Sequence, residues 1–172
     1  MGLSQRLLGI AAFLTIAALF LFLFPPCALA ATSADDPAVP AILAAAESLF
    51  QTMKARDYPA TWVVLTAKSR ETIVSETAES IRTARGKPVP KEEIRGDFAA
   101  GGPLCRNYWE GFLRRFNPDD ALEKSRWEMG VVEKGRAEVL ITYRSADRPA
   151  ILRMFREEGG WKAGLVETFW EH

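Results

Sequence analysis

The apolar positions of this chain change their spacing twice. From Leu7 to Phe24 they run unbroken except at Gly9 and Thr15; from Ile42 to Phe116 they recur every three or four residues; beyond Ser125 they alternate. The middle spacing predicts helices. Ile42, Ala46, Leu49, Phe50 and Met53 form one stripe, with Glu47, Gln51 and Lys54 opposite. Pro59 disfavours a helical conformation at Tyr58, so a second, short helix is expected from Ala60 to Leu65, turning Trp62 and Leu65 inward. Thr66 or Ser69 can cap a third, striped by Ile73, Thr77 and Ile81. The prolines and glycines of 86–102 predict a long connection with one helical turn at most. Pro103 suits the first position of a further helix, whose broad apolar face holds Leu104, Cys105, Tyr108, Trp109, Phe112, Leu113 and Phe116, and Asn117-Pro118 starts one more turn through Leu122.

The alternation after Ser125 predicts strands. Trp127, Met129 and Val131 face one way on the first, and Ala137, Val139, Ile141 and Tyr143 on the second. A three-residue loop, Glu133-Lys134-Gly135, would pair Trp127 with Ile141, Met129 with Val139 and Val131 with Ala137; a two-residue loop would set Met129 against Leu140 and mix the faces. A third strand is expected from Ala150 to Glu157 and, after a turn at Gly159-Gly160, a fourth from Trp161 to Trp170. The fold class is therefore α+β, with N-terminal helices packed on a curved, four-stranded antiparallel C-terminal sheet. A single domain over 41–172 is expected, preceded by a polar leader at 31–40.

The first apolar run changes the picture of where the domain works. Arg6 before it and Ala28-Leu29-Ala30 after it make residues 1–30 a secretory signal cut after Ala30, placing the domain in the periplasm or outside the cell. The alternative is an uncleaved anchor over residues 7–24, roughly 27 Å long as a helix against a hydrocarbon core of about 30 Å. Cys27 follows Phe24-Pro25-Pro26, a poor match to a lipidation signal. With Cys27 removed, Cys105 has no disulfide partner, so the domain depends on its core. Lys and Arg number 22 and so do Asp and Glu, which leaves no net field to gather nucleic acid; membrane contact is expected only through 7–24, if uncleaved.

Two segments, ARDYPATWVVLTAKSRE (Ala55 to Glu71) and MFREEGGWKAGLVETFW (Met154 to Trp170), resemble the nuclear-transport-factor-two-like superfamily, also called cystatin-like or SnoaL-like, and in particular its small exported bacterial members. The resemblance covers most of residues 38–170. It implies a cone in which the sheet wraps the longest helix, with no helix between Trp127 and Phe169. It also implies that an enzyme of this kind would use Asp, His or Tyr at the open end of the sheet as acid or base.

Candidate chemistry is sparse. His172 is the only histidine and stands last, and no His or Cys spacing suits a transition metal, so neither metal nor cofactor is expected. Arg95-Gly96-Asp97 matches an adhesion tripeptide by chance, and Arg114-Arg115 reads as a solvated helix end. Glu167 raises the sharper question. The Gly159-Gly160 turn would place it opposite Leu152, on the face of Met154, Leu165 and Phe169. There it would be desolvated, as a general acid or base with Tyr143 or Tyr108 as hydrogen-bond donor, or it would lie at the rim and reach water or Arg148. Tyr108, Trp127, Tyr143 and Glu167 are the candidate ligand-binding residues. The favoured expectation is a non-catalytic module holding a small apolar ligand in the cone, or a protein partner or second copy on the outer face, where Leu140, Ile151, Phe155, Val166 and Trp170 mix with Arg153, Lys162 and Thr168. The alternative is an isomerase- or hydrolase-like enzyme using Glu167.

Overall fold

A computed structural model describes residues 36–144 and 146–169. The signal or anchor, Cys27, Trp170 and His172 lie outside the described residues. Helix α1, Val39–Ala55, begins within the expected leader, with Pro40 in its first turn where a missing N–H costs nothing. Its buried stripe is Ile42, Ala46, Leu49, Phe50 and Met53, and Arg56 ends it in a left-handed conformation. The carboxylate of Asp57 accepts the Ala60 N–H at 3.1 Å and starts α2, Tyr58–Val64, two residues earlier than expected. Thr66 caps α3, Ala67–Arg85, by accepting the Ser69 N–H at 3.1 Å.

The expected connection over 86–102 is corrected: Lys91–Ala100 is a ten-residue helix, α4. Pro90 precedes it, Glu92 and Glu93 occupy its positive end, and Ile94 and Phe98, one turn apart, are both fully buried. Gly101 closes it at φ +66°, and a Cβ there would also lie 2.9 Å from Pro59 Cγ. Helices α5, Pro103–Leu113, and α6, Pro118–Glu123, follow as the sequence predicts.

Strands β1 (Ser125–Glu133), β2 (Arg136–Tyr143), β3 (Ala150–Glu157) and β4 (Gly160–Gly164) form an antiparallel meander in the order β1-β2-β3-β4. Trp127 pairs with Ile141 and Met129 with Val139, as expected, but Ala137 pairs with Val132 rather than Val131. The turn is the two-residue Lys134-Gly135, and a bulge between Met129 and Val132 restores the phase it would have cost. Gly130 permits the bulge, because a Cβ there would stand 3.0 Å from Glu138 Cβ. Glu158 and Gly159, both at positive φ, turn β3 into β4 and set Met154 against Ala163.

The fourth strand does not continue to Trp170. It stops at Gly164, opposite Arg153, and Leu165–Phe169 forms one helical turn, α7. Glu167 therefore does not stand opposite Leu152, and Val166 is buried rather than part of an outer sheet face. Leu165, Val166 and Glu167 are buried in succession, which an alternating strand could not achieve. The chain leaves the sheet where the Phe155 ring covers Gly164, at which a Cβ would come 2.6 Å from Cε2 of that ring. Beside β3, Thr168 Oγ1 accepts the Arg153 N–H at 3.0 Å. On the other side of β4, Leu65 pairs with Ala163 and the Thr66 N–H reaches the Ala163 carbonyl at 3.1 Å, so the edge strand is sealed. The inner face of the sheet, with Val139, Ile141, Leu152 and Met154, packs in one core with the α1 stripe.

Candidate functional site

Glu167 is buried, 5% exposed, rather than at the rim, and lines none of the described grooves. Its Oε1 accepts the Thr66 hydroxyl at 2.8 Å and its Oε2 the Ser69 hydroxyl at 2.7 Å. Ser69 Oγ in turn accepts the Val166 N–H at 3.1 Å, and the Arg153 guanidinium donates to the Glu167 carbonyl at 2.6 Å. Thr66 and Ser69 belong to the first turn of α3, so the carboxylate sits at the positive end of a nineteen-residue helix. Glu157 adds a second carboxylate there, accepting the Ala67 N–H at 2.8 Å. These contacts tie α7 and the end of β3 to α3. Both carboxylate oxygens thus hold internal hydroxyls, and the side chain fastens α7 to the start of α3.

The other candidates are dispersed. Tyr108 packs edge-on against Phe98 and Trp109, at 5.5 and 5.2 Å between ring centres, and burial, then the charge of Glu76, pushes its hydroxyl well above the usual tyrosine range. Trp127 meets Phe50 edge-on at 5.5 Å, and its indole N–H is satisfied by the Ala121 carbonyl at 2.9 Å and Ser125 Oγ at 2.8 Å. Both rings belong to the packing. Burial, then the charge of Asp97, raises the Cys105 thiol to about 11, so the thiolate that nucleophilic chemistry needs is suppressed. The Arg-Gly-Asp tripeptide lies inside α4. Asp97 accepts the Cys105 N–H at 2.8 Å, and Arg95 pairs with Glu71 at 2.6 Å and with Glu92. Among the described residues, no group of three or more His, Cys, Asp or Glu is placed to hold a metal ion.

Tyr143 lines a groove. This recess of about 480 Å³ runs between the α5–α6 junction, the ends of β2 and β3, and α7, with Phe116, Tyr143 and Phe169 as its apolar part. Burial, then the charge of Asp120, raises the Tyr143 hydroxyl. Arg115, Lys124 and Arg144 stand around it, and Lys124 is paired with Asp120 at 2.8 Å. A second lobe of about 440 Å³ shares Lys124, Tyr143 and Arg144 and continues toward Ser125 and Arg126. Spacing along the chain does not mark Arg115 and Arg144 as lining one recess, which the packing of α6 on β1 and β2 brings about.

Among the described residues no helix is long and apolar enough to cross a membrane. The resemblance to the nuclear-transport-factor-two-like superfamily implies no helix between Trp127 and Phe169, and α7, Leu165–Phe169, departs from that expectation. No family model, no curated protein and no solved structure matches the chain.

Proposed function

We propose that this chain is an exported, non-catalytic interaction module that meets a partner protein at its surface. The observation that carries this reading is the filled inner face: Val139, Ile141, Leu152 and Met154 are at most 2% exposed against the α1 stripe, where a small apolar ligand would otherwise be held. Interiors packed this closely admit a ligand only by displacing side chains. The fastened Glu167 and the suppressed Cys105 support the non-catalytic part. Export is supported by the pattern of residues 1–30.

The test is a thermal-denaturation series on the purified protein with long-chain fatty acids and steroids. The expected result is an unchanged Tm at every concentration. A saturable rise, which a ligand at about 100 times its Kd would produce with roughly 2.7 kcal/mol of stabilisation, would overturn the reading.

A further inference from the structure

We infer that a second copy of this chain adds to the open edge of the sheet, with β1 of one copy pairing antiparallel to β1 of the other about a two-fold axis at Met129. This deepens the surface-binding reading by naming the partner, and rests on it. The two edges of the meander are unlike. That of β4 is sealed by Leu65 and Thr66, whereas β1 pairs with β2 alone and otherwise packs chiefly on α6, near its first residues. The two-residue turn Lys134-Gly135 makes Glu133 and Arg136 a hydrogen-bonded pair, and alternation along the ladder then turns the N–H and C=O groups of Trp127, Met129 and Val132 away from β2. Among the described residues no other backbone group bonds to them. The same three side chains are half-buried on the inner face, beside the buried Val139 and Ile141, so the apolar row reaches the open edge unfinished. β1 holds neither lysine nor proline, the residues that commonly blunt such an edge.

Charge and face together select the occupant. Because Gly130 and Val131 of the bulge fill one rung, Trp127, Met129 and Val132 share the inner face while Arg126, Glu128 and Glu133 share the outer. About an axis at Met129, Arg126 stands opposite Glu133 of the second copy and Trp127 opposite its Val132, each on its own face. Moving the axis one rung sets Glu128 against Glu128 in one direction and against Glu133 in the other, so like charges disfavour both neighbouring registers. Without the bulge, Arg126 and Glu133 would lie on opposite faces and no register could bring them together. Within its own chain Arg126 lies 3.5 Å from Glu128 and Glu133 lies 2.6 Å from Arg136, exposed contacts that reorient at little cost. The two four-stranded sheets thereby become one continuous sheet.

Sedimentation velocity on the purified exported protein, from micromolar to millimolar concentration, tests the assignment. A monomer–dimer equilibrium is expected, concentration-dependent because one pair of strands makes a small interface. Arg126→Glu and Glu133→Arg, both at exposed positions, are each expected to weaken the dimer by about tenfold, since each change acts at two symmetry-related places. The double variant Arg126→Glu/Glu133→Arg should restore it, and Lys87→Glu, on the connection between α3 and α4, should leave it unchanged. Amide hydrogen exchange at Trp127, Met129 and Val132 should slow as the dimer forms. A strict monomer at every concentration, or a dimer in which those three amides exchange as fast as in the monomer, overturns the assignment. So does a dimer indifferent to both charge reversals but lost in Ile151→Glu, which would place the second copy on the outer face. Any of these failures, with the fatty-acid and steroid series still silent, leaves the surface-module reading standing; a ligand-induced rise in Tm removes that reading instead.

Discussion

Replacing Glu167 with glutamine separates a fastening from a working group by the sign of the effect. The substitution keeps the shape and one carbonyl acceptor but removes the charge, and sets an amide NH2 against a hydroxyl that now donates to Oε2. Hydrogen bonds to a charged group contribute about 1.5–3 kcal/mol each, and the carboxylate accepts two; one neutral bond of about 1 kcal/mol survives. The lost attraction to the α3 terminus adds roughly 0.3–1 kcal/mol. The expected cost is at least about 2–3 kcal/mol, which for a domain of this size lowers Tm by roughly 6–10 °C.

Urea unfolding at neutral pH, followed by tryptophan fluorescence, reads the effect as a lower midpoint at unchanged slope. The double-mutant cycle with Ser69→Ala should give a coupling of about 1 kcal/mol or more, since the two side chains share one hydrogen bond. A Glu167→Gln protein more stable than the parent would refute the account. Charge held at a cost to stability is the behaviour of a group kept for its chemistry, and the acid–base reading would then regain its footing.

Two further outcomes follow from particular contacts. The Tyr58 hydroxyl is pushed up to about 12 by burial and by donating to Glu110 at 2.6 Å, with Arg56 opposing. A raised folded-state value means its contribution is complete below about pH 10, where unfolded tyrosine titrates, and is lost as pH rises toward 12; chemical denaturation across that window should show the decline, and Tyr58→Phe should flatten it. Gly164→Ala forces a Cβ within 2.6 Å of the Phe155 ring and should destabilise by about 1–3 kcal/mol in urea, whereas pairing it with Phe155→Leu should recover part of the loss.

The parts of this fold that local periodicity encodes were legible in the sequence, and the parts decided by distant partners were not. The α1 stripe and the pairs Trp127 with Ile141 and Met129 with Val139 follow from spacing alone. The loop between those strands differs from the expected one because two departures cancel: a turn shorter by one residue and a bulge at Gly130–Val131 together preserve the faces that a longer turn would preserve. Helix α4 was hidden because only Ile94 and Phe98 mark its buried side, and two positions one turn apart do not define a period. The end of β4 was equally opaque, since a single helical turn is too short for its spacing to compete with the alternation that precedes it.

Glu167 shows most directly why site reading from sequence stops where it does. Its apolar neighbours leave both burial and a rim position open, and its partners, Thr66 and Ser69, which lie 101 and 98 residues away, decide for burial. Among the described residues it is the one buried charged side chain, and it joins the C-terminal turn to the helix whose preceding residues seal the edge of β4. The interior carboxylate thus serves assembly, and the core behind it is closed.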